Sequence, residues 1–321
     1  MLFFLSGEPT SIPEAEARAL ILTYDPSAEI ARPEERIIIA TTSADPYEIS
    51  RRIAFARRVG LLIPDGELQS DHLRMLSGSS YRVRVYGRAR ENSGSRETIN
   101  RLASQTDAKI DLRTPEFEIS VIGGARNYFT LTRPNEMRQG WVSRRPRSRA
   151  YFHPAAIFPK LARALVNLTR VREGGTLLDP YVGTGSLLIE GFLVRAKCVG
   201  VDISGKMVRG SLANGKKLEQ EWLGIVRADT SLLPVNSVDA IVTDVPYGRA
   251  SSGEGSDTAS HLEALANSTR RILKCGGRAV IMHPKQVEIL PSENLEVEEE
   301  HQLPVHRKLT RTITVLRRTL L

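Results

Sequence analysis

The chain has 321 residues, 41% of them hydrophobic and 26% charged, and carries a formal net charge of +8. That length supports two domains with separate cores, and the composition excludes a disordered chain. The longest apolar runs, such as Met1 to Leu5 and Ala279 to Met282, fall far short of the roughly 18 residues needed to cross a bilayer, and Met1 to Leu5 has no basic lead, so neither a membrane span nor a secretory signal is expected.

In chain order, YEISRRIAFARRVGLLI (47–63) places Ile49, Ile53, Ala56 and Val59 at helical spacing, which predicts one helix whose two arginine pairs face solvent or a partner. SYRVRVYGRAR (80–90) alternates strictly and predicts a strand with Tyr81, Val83 and Val85 on one face and Arg82 and Arg84 on the other. ETINRLASQTDAKIDL reads as a helix, and FEISVIGGARNYFTLT as two strands joined at Gly123-Gly124. These elements describe a small α+β domain. Each half of the chain carries four more basic than acidic residues, but 22 of the 23 basic residues up to residue 150 are arginine, and RPNEMRQGWVSRRPRSR (133–149) holds six arginines against Glu136. A guanidinium grips phosphate bidentately, so Arg144, Arg145 and Arg147 are expected to contact nucleic acid, with a solvated linker as the alternative.

Near residue 150 the texture changes. GTLLDPY, AKCVGVDI, GIVRAD, VDAIVTDVPY and GRAVIMH read as strands, with helices expected from Ser186, about Lys206 and about Ala259. This order predicts an α/β fold with a parallel, doubly wound sheet and ligands at the carboxyl ends of its strands. LEVEEEHQL and LTRTITVLRR predict an antiparallel pair closing one sheet edge. Cys198 and Cys275 have neither CxxC spacing nor a histidine at ligand spacing, and read as buried thiols of a reducing, cytoplasmic compartment with no metal site.

Four strand ends carry the chemistry. LLDPYVGTGSLLIEG puts Asp179 at a strand end, Tyr181 after it, then Gly183, Thr184 and Gly185 opening a helix, a pattern in which backbone approaches a ligand closely and helix amides favour anionic groups. Twenty-three residues beyond Asp179, CVGVDI ends in Asp202 with Ile203 beside it, where an acid can hold two ribose hydroxyls. GIVRAD ends in Asp229, followed by Thr230, where a carboxylate can accept an adenine amino group. Nicotinamide dinucleotide and S-adenosylmethionine both suit this pattern, but Leu188 stands at the third glycine position of a dinucleotide fingerprint, which favours S-adenosylmethionine. The fourth strand presents Asp244, Val245, Pro246 and Tyr247 in succession. The Asp244 carboxylate and Val245 carbonyl can accept both N–H groups of an exocyclic amine and favour its pyramidal transition state, Pro246 restricts Val245 to extended geometry, and Tyr247 can stack on the base.

Asp-Val-Pro-Tyr resembles the Asp/Asn-Pro-Pro-Tyr signature of amino-group methyltransferases. RAYFHPAAIFPKLARALVNL (149–168) looks like the helix before the first motif in the tRNA guanine-10 N2-methyltransferase family, and VHRKLTRTITVL (305–316) is similar to that family's closing hairpin. The first half looks like its THUMP RNA-binding region, anchored on YRVRVYGRAREN and GGARNYFTLT, and archaeal members match best in length and layout. The resemblance implies a THUMP-containing RNA-binding region over 1–148 and a Rossmann-like class I methyltransferase domain over 149–321. It implies S-adenosylmethionine as cofactor, tRNA as substrate, one or two methyls added to guanine N2, and a small zinc-binding activator protein as a partner. Phe152, His153 and Pro154 resemble the segment that holds the methionine part of the cofactor; helix entry is the alternative role. Val245 departs from the signature, where a first proline is usual, and is expected to cost the loop one rigid residue and leave a free amide. GRASSGEGSDT (248–258) is expected to gate the pocket. The rival readings are a ribosomal RNA or DNA amino-methyltransferase, a non-catalytic RNA-binding module with a decayed methyltransferase fold, and a nicotinamide-dependent oxidoreductase.

Overall fold

Among the described residues fifteen strands fall into two sheets, and each sheet belongs to its own compact unit of the chain. The computed structural model describes residues 1–87, 95–134, 140–246, 258–287, 289, 293–306 and 309–320. The first unit comprises Met1–Glu8 and Leu20–Gln139, and the second Pro9–Ala19 and Gly140–Leu321. The chain thus divides at Gln139/Gly140, nine residues before the sequence boundary, and returns an N-terminal segment to the second unit. Among the described residues no helix is long and apolar enough to cross a membrane.

Strands β1 (Leu2–Leu5), β2 (Glu29–Glu34), β3 (Ile37–Thr41), β4 (Ala56–Ile63), β5 (Ser80–Gly87), β6 (Lys109–Ile110), β7 (Phe117–Gly123) and β8 (Asn127–Thr132) form the first sheet in the order β2-β3-β1-β4-β8-β7-β5-β6. Helices α1 (Ile12–Tyr24), α2 (Pro46–Arg52), α3 (Ser70–Leu76) and α4 (Ser95–Ala103) lie between them in sequence. The β7–β8 hairpin and the alternating β5 form as the sequence predicts. The single helix expected over 47–63 does not. Helix α2 stops at Arg52, and the rest becomes β4, paired with β1 on one side and β8 on the other. Pairing on both edges overrides the helical spacing, and Gly60 permits it, because a Cβ there would overlap the carbonyl oxygen of Leu131. One arginine of each pair turns inward, Arg52 being buried and Arg58 reaching Glu118, which is fully buried, while Arg51 and Arg57 stay exposed as expected. Glu118 accepts from Arg58 Nε at 2.7 Å, Arg82 Nε at 2.8 Å, the Tyr86 hydroxyl at 2.7 Å and Ser120 Oγ at 2.9 Å.

The second sheet has the order β11-β10-β9-β12-β13-β15-β14, from β9 (Thr176–Asp179), β10 (Lys197–Asp202), β11 (Gly224–Arg227), β12 (Val238–Asp244), β13 (Leu273–Pro284), β14 (Leu295–His306) and β15 (Leu309–Arg318). Strands β9 to β13 run parallel, and β15 pairs antiparallel with both β13 and β14, so the expected closing pair is present. Helices α5 (Pro159–Leu168), α6 (Ser186–Leu193), α7 (Gly205–Lys217) and α8 (Thr258–Ile272) complete this unit. Leu178, Val201, Ile241, Val245, Ile281 and Leu316 share one apolar core, which explains why these strands read as apolar runs. Because β9 has β10 on one side and β12 on the other, the strand order reverses there, which is where such sheets open a ligand crevice.

Two features of this unit correct the sequence reading. Residues 149–158 are not helical: α5 starts at Pro159, its ring at the first helical position and Phe158 held extended before it. Arg144, expected at a phosphate surface or on a linker, is buried, and so is Arg149. Arg144 Nε donates to Glu190 of α6 at 2.8 Å, and Arg163 of α5 reaches the other oxygen of Glu190 at 2.8 Å. Arg145 and Arg147 remain exposed. The returned N-terminal segment is held by two side-chain pairs, Ser11 Oγ with His301 Nδ1 at 2.8 Å and Asn167 Nδ2 donating to Glu16 Oε1 at 2.7 Å.

Candidate active site

Asp179 closes β9 and is buried. Its Oδ1 accepts from Thr243 Oγ1 of β12 at 2.7 Å and from the Tyr181 amide at 3.2 Å, so the strand ends on either side of the reversal are linked. Burial pushes its carboxyl up to about 7, against the pull of those two hydrogen bonds and with the added repulsion of Asp202 and Asp244. Tyr181, half-buried, sets its ring edge-on to His261 with centroids 5.8 Å apart.

The glycine loop follows. Gly185 precedes α6 at φ +81°, a left-handed conformation that favours glycine, and Gly183 has φ +50°. A Cβ built on Gly183 meets nothing nearer than the Tyr181 carbonyl oxygen at 3.9 Å, so its backbone is open to a ligand. The Gly183 amide donates to Asp202 Oδ2 at 2.9 Å and the Ser204 amide to Asp202 Oδ1 at 2.8 Å. A carboxylate offers about four lone-pair sites, so Asp202 keeps capacity for two hydroxyls. Burial raises its carboxyl, opposed by the two amides. Ile203 beside it is exposed.

Asn214 of α7, fully buried, ties this loop to residues 151–154. Its Nδ2 donates to the carbonyls of Thr184 (2.9 Å) and Tyr151 (3.0 Å), and its Oδ1 accepts the Tyr151 amide at 2.7 Å. Phe152 and Pro154 are exposed and His153 half-buried, with His153 Nδ1 accepting the Ala155 amide at 3.3 Å. Arg149 Nη1 donates to Ser186 Oγ at 2.6 Å at the start of α6. Beyond β11, exposed Asp229 accepts from the Ser231 amide (2.8 Å) and hydroxyl (2.7 Å), which hold its carboxyl below the ordinary range. Thr230 is buried with Oγ1 on the Pro180 carbonyl at 3.3 Å.

Asp244 closes β12, and its Oδ1 accepts from Arg311 Nη2 of β15. Burial raises its carboxyl, and the Arg311 charge opposes that rise. Val245 is fully buried, and its amide is not free as the sequence suggested: it donates to the Met282 carbonyl at 3.0 Å and extends the β12–β13 ladder by one rung. Pro246 is half-buried. Tyr247 and the expected gate at 248–258, apart from Thr258 at the start of α8, lie outside the described residues.

The sheet therefore gathers Asp179, Tyr181, the glycine loop, Asp202 and Asp244 at the carboxyl ends of β9, β10 and β12. Sequence reasoning missed Thr243, Asn214, Arg149 and Arg311. One signal was present for Arg311, an arginine in register with Ile313 and Val315 on the same strand face.

An acid at each of four strand ends around the reversal at β9, with a glycine loop opening the following helix, defines a class I methyltransferase fold. Residues 146–313 match UPF0020 (RMKL-like, methyltransferase domain), and the chain belongs to that family. It is similar to the tRNA (guanine(10)-N2)-dimethyltransferase of Methanocaldococcus jannaschii, with 35% identity over 225 residues that span 67% of this chain and 61% of that protein. It is 29% identical over 336 aligned positions to the tRNA (guanine(10)-N2)-dimethyltransferase of Methanothermobacter thermautotrophicus, covering 99% of each. The crystal structure of TrmN from Thermus thermophilus shares the fold across 99% of both chains, at 19% identity and a TM-score of 0.50.

Proposed function

We propose that this chain transfers methyl groups from S-adenosylmethionine to the exocyclic N2 amine of guanine in tRNA. The observation that carries the reading is the acceptor pair at the end of β12, the Asp244 carboxylate and the Val245 carbonyl, beside the Asp179 end of β9. The two aligned relatives named above support the substrate and position 10, and their names support addition of two methyls.

Gly183, Thr184 and Gly185 with the start of α6, Asp202, and Asp229 with Thr230 would hold the cofactor, with residues 152–154 beside the glycine loop. When bound, S-adenosylmethionine supplies an electrophilic methyl group. Guanine N2 is a poor nucleophile because its lone pair is delocalised into the ring. Asp244 and the Val245 carbonyl accept its two N–H groups and favour the pyramidal nitrogen, whose lone pair then points at the incoming carbon. One proton leaves to Asp244 or solvent after transfer; in a second round the remaining N–H needs only one of the two acceptors. The base must be unstacked from folded RNA, at about a few kcal/mol, and binding of the surrounding RNA offsets that. We assign this binding to the first unit, read as THUMP-containing, on the strength of its sequence anchors and the fold shared with TrmN over the whole length.

Mass spectrometry of nucleosides from tRNA incubated with the chain alone and S-adenosylmethionine tests this directly. N2-methylated and N2,N2-dimethylated guanosine are expected; methylated adenosine, or no product with a competent tRNA, would sink the reading.

A further inference from the structure

We propose that Arg311 is the positioning residue for the acceptor pair, fixing the Asp244 side chain and the Val245 backbone through a shared anchor on β13; this rests on the amine-acceptor reading above. Arg311 lies on β15 and is 3% exposed. One nitrogen, Nη2, donates both to Asp244 Oδ1 and to the Met282 carbonyl, the latter at 3.2 Å. The same Met282 carbonyl accepts the Val245 amide at 3.0 Å. Three neighbouring strands thus converge on one carbonyl oxygen, which links the side-chain acceptor to the backbone acceptor.

Two consequences follow from this geometry. Occupying Oδ1 leaves Oδ2 as the oxygen for an amine and sets its direction. The Val245 carbonyl is fixed by a ladder hydrogen bond that a proline, having no N–H, could not make, so this chain holds by pairing what the usual first proline holds by its ring. A guanidinium in an apolar register is unfavourable unless paired, and an apolar pair would serve stability as well, so retention of the ion pair fits a role in the site.

Among the described residues, the charged groups around Asp244 are Arg311 from β15 and Asp179 from β9. Arg311 in turn faces His283 of β13, whose Nε2 meets Thr314 Oγ1 at 2.9 Å, and Glu300 of β14 lies beyond, accepting from Thr314 Oγ1 at 3.0 Å. Burial keeps His283 toward the neutral form, and Arg311 is the cation that opposes the upward push of burial on the Asp244 carboxyl. Loss of Arg311 raises the Asp244 carboxyl and moves the acid limb of activity to higher pH.

The test uses the full chain, tRNA and S-adenosylmethionine, with kcat, both KM values, cofactor binding by calorimetry and a rate profile from pH 5 to 9. Arg311→Gln is expected to lower kcat at neutral pH by about tenfold or more with KM values within about twofold, and to shift the acid limb upward so that raising the pH recovers part of the loss. Arg311→Lys keeps the charge without the fork, so a smaller fall in kcat with the wild-type acid limb is expected. A folded Arg311→Gln with wild-type kcat and profile overturns the proposal, as does a loss spread equally over kcat, KM and cofactor binding. If Arg311→Gln does not fold, Arg311→Lys decides, and an unchanged kcat there overturns it. Asp244→Asn separates the layers: an active Asp244→Asn removes the amine-acceptor reading itself, whereas an inactive one beside a fully active Arg311→Gln removes only the role of Arg311.

Discussion

Glu118 in the first unit, fully buried, and Asp244 in the second, half-buried, are both carboxylates paired with arginine, and they are finished differently. Glu118 takes two guanidiniums, a phenol and a serine hydroxyl, so both oxygens are saturated. Burial would raise its carboxyl, but these partners outweigh burial and bring it to about 2. Asp244 takes Arg311 on one oxygen, and among the described residues the other has no donor; here burial wins and the carboxyl rises. A saturated carboxylate is a brace, whereas a half-satisfied one is available to a ligand. Number of donors, more than burial or charge, separates the two.

Removing the brace should have the largest effect. Glu118→Ala leaves Arg58 and Arg82 without their shared counter-charge, and a loss of about 3–5 kcal/mol is expected, read from thermal unfolding by circular dichroism. A change below about 1 kcal/mol would show that the saturated network contributes little. Asp244→Ala also leaves buried Arg311 without its counter-charge, so some loss of stability is expected, but the folded variant should lower kcat by about a hundredfold or more, with calorimetry showing unchanged cofactor affinity; a near-wild-type rate would make Asp244 a second brace.

The two units should also respond to pH with opposite sign. The depressed Glu118 stabilises its unit above the ordinary glutamate value of 4.5, and that contribution is lost as pH falls toward about 2. The raised Asp179 stabilises its unit below the ordinary 3.8, and that contribution is lost as pH rises through about 7. Both tryptophans, Trp141 and Trp222, lie in the second unit, so their fluorescence follows that unit alone. Melting followed this way should weaken between about pH 4 and 7, and Asp179→Asn should flatten the trend. An unaltered slope in that variant would show that Asp179 is not its source. The smallest effect is expected at the exposed pair. Arg145→Ser with Arg147→Ser should reduce the salt slope of tRNA binding by about two and leave cofactor binding alone, because each phosphate contact releases roughly one counterion. Arg144→Ser should instead destabilise the second unit, since Arg144 is spent on Glu190.

The second unit was largely legible because the acids of its candidate site sit at or just beyond strand ends. Apolar runs closed by Asp179, Asp202, Asp229 and Asp244 mark both the sheet and the crevice, and the glycine loop marks the helix between the first two. The first unit was less so. The spacing of Ile49, Ile53, Ala56 and Val59 satisfies a helix, and only the neighbours on either side of β4 make it a strand. Local composition also misled at Arg144, where a basic run suggested a surface and the buried Glu190 lies 46 residues away. At Val245 the substitution suggested a looser loop, but its amide finds the Met282 carbonyl on a strand formed much later in the chain. Each miss is a long-range partner that residue type alone does not reveal.

The segment Pro9–Ala19 carries a consequence for biosynthesis. It leaves the ribosome long before its partner, since Ser11 meets His301, 290 positions later. At about 5–20 residues per second, roughly 15–60 s pass before that partner exists. The intervening first unit can complete its sheet in that time, while Ile12, Ala15 and Ala17, apolar and buried in the finished protein, wait without their final packing. Expression of residues 140–321 alone would therefore omit a segment of its own compact unit and leave His301 and Asn167 without Ser11 and Glu16, and supplying the missing turns as a separate peptide or as a C-terminal fusion is the natural way to obtain that half in soluble form.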